Sequence, residues 1–334
     1  MDTLLIVLVV VIASVAFYVW SRRAMVAEGF HQQFQLVTST PDKPSLKPRL
    51  WWFCDDETNA RHWWDFGARN SRQPNRGYLQ VALEAVYATQ GFDFDIQPLL
   101  GRNAVSKVLR EEGVDIPADV YQLPATLWRA WAFNTLLANK GGLVMVGDST
   151  LCVGSSFATR TNGKEVVMFG MTSDEPRATP GFPTAPSMWV GWASKPHTPV
   201  WDVAASAWTR LVHAGPTGWT AAEARRMYME VWMMQRTKTP VVAQDAEGSR
   251  LADGKERTME DLLMRVNDPV DPKTVIAPSV LYVPMDGDAL VRHYKYSWFV
   301  RMSKKQILEE GDFVWADLAR RHRSRLFKAP VGLA

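Results

Sequence analysis

The stretch "ANKGGLVMVGDSTLCVG", residues 138–154, joins a Gly-Gly pair to a short apolar run that stops at one carboxylate, Asp148. Four apolar residues in succession, Leu143 to Val146, suit a buried strand. Upstream, "PATLWRAWAFNTLLANKGG" (residues 124–142) reads as a helix that runs into the glycines. An acid just past such a strand has two readings. It is a turn former that ends the strand, or an oxygen ligand at the carboxyl edge of a parallel sheet, where α/β folds bind their ligands.

Earlier in the chain the same alternation recurs. "RLWWFC" (residues 49–54) is an apolar run suited to a buried first strand, and it stops at the acidic loop Asp55, Asp56, Glu57. "YLQVALEAVYATQ" (residues 78–90) sets Leu79, Leu83, Val86 and Tyr87 on one helical face, with Gly91 where a C′ glycine would stand. "FDIQPLL" (residues 94–100) predicts a second strand and residues 103–112 a helix, ahead of the helix and strand of the opening stretch. Strand, helix, strand, helix, helix, strand predicts an α/β fold with a mainly parallel, Rossmann-like central sheet and helices on both faces.

Beyond residue 172 the pattern loosens. Pro and Gly crowd residues 172–200, a helix is expected at about 200–213, and Thr220 with Glu223 at N3 opens another. The Met and Trp stripe of that helix reads as core. "SVLYVPMD" (residues 279–286) predicts a strand, and "SKKQILEEGDFVWADLARRHRSRLF" (residues 303–327) one or two terminal helices. No internal repeat is present.

The chain has 334 residues, of which 47% are apolar, enough for a large core. Its formal charge is only +3 and the cations are scattered, so no nucleic-acid partner is indicated. The basic tail "ARRHRSRLFK" (residues 319–328) either meets anionic lipid or solvates a helix end. Residues 4–20, "LLIVLVVVIASVAFYVW", carry no charge and would span about 26 Å as a helix, close to a hydrocarbon core. They predict a single-pass anchor within residues 1–23. Arg22 and Arg23 follow directly, so the charge bias puts the large domain on the cytoplasmic side, the lumenal side being the alternative. Residues 24–48, with "TSTPDKPSLKP", read as a stalk, and residues 49–334 as one domain. Only Cys54 and Cys152 are present, so no disulfide framework exists.

Familiar chemical motifs are lacking. There is no P-loop, no G-x-G-x-x-G, no H-E-x-x-H, no paired Cys motif and no G-x-S-x-G elbow. "NARHWWDFGARNSRQPNRGY" (residues 59–78) is dense in Arg and aromatics just after the first acidic loop. Arg61, Arg69, Arg72 and Arg76 could pair with a diphosphate, or cap surface carboxylates. Trp63 or Trp64 could stack on a base, but Trp63, Trp64 and Phe66 read better as core.

From these residues the chain resembles a glycosyltransferase of the GT-A type, in particular the group of capsular polysaccharide synthesis proteins and mannosyltransferases with a DXD sugar-binding motif. That group's pattern is roughly Gly-Gly-Ile-Tyr-Leu-Asp-x-Asp. Laid on Gly141 to Asp148, "GGLVMVGD" keeps the glycines, the apolar strand and the second acid, while Val146 stands where the first acid belongs. The family's Ser-Asp…Arg pattern on the preceding helix is also absent, Arg129, Ala130 and Phe133 taking those positions. A second likeness is "LYVPMDGDALVRHYKYSWF", similar to a late strand followed by His-x-x-x-Ser-Trp, here His293, Ser297 and Trp298.

The resemblance implies a retaining hexosyltransferase that moves a sugar from a nucleotide-diphosphate sugar to a glycan or protein acceptor. It implies a divalent metal, Mn or Mg, on Asp148 with help from His293, and a donor site that includes Asp55, Asp56, Arg69, Asp148, Ser297 and Trp298. No residue is singled out as nucleophile or base. The alternative is a membrane-bound protein that keeps the glycosyltransferase fold as a binding or scaffolding subunit without turnover, a reading that the missing acids favour.

Overall fold

The computed structural model describes residues 47–55, 76–172, 184–213, 241–266 and 275–326. All of them fall in one compact unit, Lys47–Ala334. The apolar segment 4–20, the helix expected from Thr220, Asp56 and the arginines Arg61, Arg69 and Arg72 lie outside the described residues. Among the described residues no helix is long and apolar enough to cross a membrane.

In chain order the elements are β1 (Arg49–Cys54), α1 (Gly77–Gln90), β2 (Asp95–Leu100), α2 (Arg102–Glu111), α3 (Ala125–Lys140), β3 (Gly142–Val146), β4 (Thr150–Cys152), α4 (Ala158–Thr161), β5 (Val166–Thr172), β6 (Thr184–Ala193) and α5 (Pro199–His213). Then follow β7 (Val241–Asp245), α6 (Met259–Leu263), β8 (Tyr282–Pro284), α7 (Gly287–Arg292), α8 (Ser297–Arg301) and α9 (Val314–Leu326). The protein is α/β, with a six-stranded sheet in the order β2-β1-β3-β6-β5-β7. Parallel pairing joins β1 to β2, β1 to β3 and β5 to β7, and only β6 runs against its neighbours. A separate antiparallel pair, β4 with β8, brings the middle of the chain beside its late segment.

Alternation along the strands divides the core. Trp51, Phe53, Val144, Val146, Val166 and Met168 face a layer made by α2, α3 and α5, in which Trp128, Trp131 and Trp201 are fully buried. Their neighbours in the strands, among them Trp52, Met145 and Phe169, point to the opposite face. There Phe157 packs edge-on against Phe169 at 4.9 Å, and Cys152 lies against Met145. That layer continues through α1, α8 and α9, where Tyr78, Phe299 and Trp315 form a chain of rings 5.4 Å apart.

The two glycines of the opening stretch are both required. Gly141 and Gly142 take φ of 60° and 80°, a region that residues with a Cβ rarely adopt. A Cβ on Gly142 would lie 2.5 Å from the Arg49 carbonyl oxygen, and one on Gly141 2.7 Å from the Lys195 backbone. Trp51 Nε1 donates to the Gly141 carbonyl at 3.0 Å and holds the turn against β1. Gly91 differs from the expected left-handed cap. Its φ is −62°, and the helix closes instead through its N–H bonded to Tyr87 O at 3.1 Å.

One strand, β6, lies where the Pro and Gly content predicts a loop. β6 accepts Pro186 because its pairing with β5 shifts register between Met168 and Gly170, just where Pro186 comes opposite Gly170. The expected late strand shrinks to the three residues of β8.

Candidate functional site

Because β1 and β3 run in register and in the same direction, with Phe53 opposite Val146, Asp55 and Asp148 leave the sheet at one edge. The Asp55 backbone N–H donates to Asp148 Oδ2 at 3.3 Å. Asp148 occupies a single 3-10 turn, Gly147–Ser149, and is only 2% exposed. A carboxylate that far from water must be paired.

Its partner comes from α3. Residues Leu127 to Ala138 of that helix are all buried, because α3 is wedged between the sheet and α5. Arg129 is the one charged side chain among them. Its Nε donates to Asp148 Oδ2 at 2.9 Å, and the terminal nitrogen Nη2 lies 2.8 Å from the same oxygen. The other terminal nitrogen, Nη1, donates to Asp288 Oδ1 at 2.7 Å. Asp288 Oδ2 accepts from the Thr126 hydroxyl one turn earlier on α3. Asp148, Arg129 and Asp288 thus form an ion triad, drawn from a strand end, a helix and the first turn of α7.

Close backbone packing enforces this meeting. Gly287 lies so near Asp148 that a Cβ there would be 2.5 Å from the Asp148 carbonyl oxygen. Burial opposes the Arg129 charge, but the two carboxylates overcome it and hold the guanidinium above its ordinary value. Burial also pushes the Asp288 carboxyl up, yet Arg129, Thr126 and Arg292 together hold it below the usual carboxylate range.

A group held below its unfolded value, about 3.9 for Asp, adds stability that is complete above that value and is lost as pH falls through the lower folded one. Urea unfolding should therefore show midpoints that decline from about pH 4 downward. In Asp288→Asn that acid-side slope should be shallower, since the amide cannot titrate. Equal slopes in both proteins would remove Asp288 from the account.

Beside the triad opens a cleft of about 950 Å³, lined from α3, β6, the segment after β7, α6 and residues 284–296. Two of its lining residues, Ser187 and Glu247, are joined through the buried Tyr282, whose hydroxyl donates to Glu247 Oε2 at 2.8 Å and lies 2.8 Å from Ser187 Oγ. Arg257 Nε donates to the Gly248 carbonyl at 3.0 Å, and burial draws its guanidinium below its ordinary value. Four cations line the cleft, Arg129, Arg257, Arg292 and Lys295. Among the described residues five carboxylates oppose them, Glu247, Glu256, Glu260, Asp286 and Asp288. Such a mixed lining can hydrogen-bond a hydroxyl-rich ligand.

The expected site residues are thus distributed. Asp148 lies beneath the cleft with its charge on Arg129. His293 stands exposed on the rim, edge-on to Tyr296 at 6.2 Å between ring centres. Asp55 adjoins Asp148 through its backbone, but its carboxylate takes both prongs of Arg102, Nε at 2.8 Å and the terminal nitrogen Nη2 at 2.9 Å. Arg102 also donates to the Tyr121 and Leu123 carbonyls, so this pair pins a loop to the end of β1. Ser297 opens α8 and Trp298 packs edge-on to Phe313 at 5.5 Å. Neither is among the cleft-lining residues. Asp56 and Arg69 lie outside the described residues.

The donors around Asp148 do not fit a divalent cation. One of its oxygens already faces two Arg129 nitrogens and the Asp55 N–H, the other accepts from Ser149 Oγ at 3.2 Å, and Val146 supplies no second ligand. Among the described residues no group of three His, Cys, Asp or Glu side chains is spaced to hold a metal. The Cys152 thiol is not an activated one, since burial pushes it up to about 12.

Sequence reasoning missed Arg129 and Asp288 as a pair and the Tyr282, Glu247 and Ser187 chain. One signal was available: a lone arginine inside "LWRAWAFNTLL" (residues 127–137) demands a buried counter-ion. Comparison with protein-family descriptions, curated proteins and solved structures returned no match.

Proposed function

We propose that the chain is a glycosyltransferase-like protein of GT-A type, held at a membrane by residues 4–20, that binds a nucleotide-diphosphate sugar for transfer to a glycan or protein acceptor. The observation that carries the reading is the cleft beside the carboxyl end of β3, at the edge where parallel α/β sheets bind ligands. Its described lining, with hydroxyls, carboxylates, Trp189 and Tyr296, suits the sugar. Charge for the diphosphate would come from Arg129, Arg292 and the arginines Arg61, Arg69 and Arg72. Those last three belong to the stretch that joins Asp55 to Arg76. The physical task in transfer is to stabilise the leaving diphosphate as its charge grows, and guanidinium groups do this in bidentate fashion.

A second reading, a binding or scaffolding subunit without turnover, is favoured by one observation. The carboxylate that the resemblance gives to a metal is committed to Arg129. One set of experiments separates the two. The purified full-length chain is titrated with uridine and guanosine diphosphate sugars, with and without Mn²⁺, and release of free nucleoside diphosphate is followed. A donor present at about 100 times its Kd should raise stability by about 2.7 kcal/mol. Stabilisation with nucleotide release supports the transferase, and stabilisation without release supports the binding subunit. If no diphosphate sugar shifts the melting temperature under either condition, the donor reading is wrong.

A further inference from the structure

We infer that the exposed side of residues 291–301, "VRHYKYSWFVR", docks on the anionic headgroups of a lipid bilayer. This does not depend on the donor reading above, and it adds a second membrane contact to the apolar segment 4–20. Among the described residues six large hydrophobic side chains are exposed, and three of them, Val291, Tyr294 and Trp298, fall within this one segment. A fourth, Met264, adjoins it, since its carbonyl accepts the Val314 N–H at 3.0 Å, next to the Phe313 ring on which Trp298 packs. Single apolar residues on a surface need no partner, whereas a cluster marks a contact site.

The backbone explains the cluster. The 3-10 turn Tyr294–Tyr296 runs directly into α8. Tyr294, Trp298 and Arg301 therefore recur at spacings of four and three and share the outer side, while Tyr296 and Phe299 turn inward and are buried. Tyr294 is 85% exposed, and Trp298 keeps 45% of its surface in solvent although its ring is edge-on to Phe299 and Phe313. A ring rooted in the core and open on its outer edge is presented rigidly.

Charge selects the occupant. The segment holds Arg292, Lys295 and Arg301 and no carboxylate. The Arg292 side chain is 61% exposed and that of Asp288, 3.6 Å away, only 14%, so the cation is the outer member of the pair. Lys295 shares the surface with Glu260, and that pair adds little. His293 and Arg301 are exposed as well. The centre of a protein–protein interface is poor in charge, whereas here cations stand among the rings. Trp and Tyr beside Lys and Arg form the composition that settles at headgroup level, with rings in the interface and cations on lipid phosphate.

Residues 24–48 span at most about 85 Å when fully extended. That exceeds the width of a folded unit of this size, whose radius of gyration is about 19 Å. An anchor at residues 4–20 thus leaves every face able to reach the bilayer, and the aromatic and basic patch chooses one. Arg292, His293, Lys295 and Tyr296 also line the cleft, so docking brings the cleft mouth to headgroup level.

The test uses the full-length chain with phosphatidylcholine vesicles, with and without phosphatidylserine. Val291→Cys carries an environment-sensitive fluorophore, and Lys195→Cys, beside Gly141 at the other end of β3, is the control. Cys54 and Cys152 are buried and stay unlabelled. A spin-labelled lipid should quench the label at 291 several-fold more than the label at 195, and only with phosphatidylserine at low salt. Adding Arg301→Glu should weaken that docking about 5-fold or more. The salt dependence keeps the test decisive if this variant fails to fold. Quenching at 291 that does not exceed that at 195, or that ignores phosphatidylserine, would overturn the inference. So would energy transfer between labels at 291 that rises with protein concentration, which would make the patch a contact between two copies of the chain. Flotation with pure phosphatidylcholine vesicles reads residues 4–20 separately. Flotation without quenching at 291 leaves the anchor and removes the patch, and quenching with phosphatidylserine but no flotation without it does the reverse. If neither is seen, both membrane contacts are wrong.

Discussion

Replacing Arg129 by Met should cost about 3–5 kcal/mol of stability, because it strands the buried Asp148 carboxylate without a counter-ion and takes the nearer cation from the partly buried Asp288. For a folded unit of this size that corresponds to a fall of roughly 10 °C in melting temperature. The size of the effect comes from desolvation more than from lost attraction. A buried pair gains little over apolar residues of the same shape, whereas half a pair leaves an unpaid charge. It follows that neutralising the partners should repair most of the damage. Arg129→Met combined with Asp148→Asn and Asp288→Asn should return to within about 2 kcal/mol of wild type, since the amides keep acceptors for the Asp55 N–H and the Thr126 hydroxyl. Chemical denaturation of the four proteins measures this. If the single variant loses under about 1 kcal/mol, the triad is not the buried network described.

The second large effect concerns a contact between a ring and a glycine. Trp52 is fully buried, and a Cβ on Gly147 would stand 2.2 Å from its ring. Trp52→Ala should cost about 3–5 kcal/mol through the cavity it leaves. Gly147→Ala should cost about 1–3 kcal/mol through overpacking, since neither the ring nor the turn that carries Asp148 has room to move. The two penalties have opposite causes, too little volume and too much, at one place. The double variant should therefore lose clearly less than the sum of the singles, with a coupling of about 1 kcal/mol or more. Strict additivity would mean that the ring and the glycine do not touch. Trp52 Nε1 has no hydrogen-bond partner among the described residues, so Trp52→Phe should be the mildest substitution at that site.

How far the architecture could be read ahead of the structure varied along the chain. From Arg49 to Val146 the element order is legible, because apolar runs and helical faces there are bounded by turn formers and tertiary contacts reinforce the local preference. Between residues 172 and 200 the same rules mislead, although the helix expected at about 200–213 is present as α5. β6 contains Pro186 and is bordered by Pro and Gly, yet it is a central strand, held by pairing with β3 and β5 on its two sides. Strand pairing is a long-range interaction, and a composition window sees none of it. The acid at the end of β3 was also legible as a strand-end carboxylate, because an Asp after four buried residues must leave the sheet at its edge.

The identity of its partner was not legible. Arg129 lies 19 residues before Asp148 and Asp288 lies 159 residues beyond Arg129, and the span from Arg129 to Asp288 includes the strands β3 to β8. No periodicity links positions so far apart. They meet because β4 pairs with β8 and the Gly287 backbone closes on the turn at Asp148. His293, Ser297 and Trp298 show the converse. They are neighbours in a motif, but short helical turns point His293 to the cleft rim and turn Trp298 toward Phe313.

Taken alone, then, the amino-acid sequence determines an α/β chain with a Gly-Gly turn, a buried strand and a carboxylate at its edge, since local sterics and hydrophobic spacing suffice for each. Whether that carboxylate faces a metal, a ligand or a side chain depends on which charges the folded chain brings within 3 Å. The tertiary structure decides this by burying Arg129 between Asp148 and Asp288. In a low-dielectric interior a carboxylate must take the nearest cation, and here the nearest cation is part of the protein.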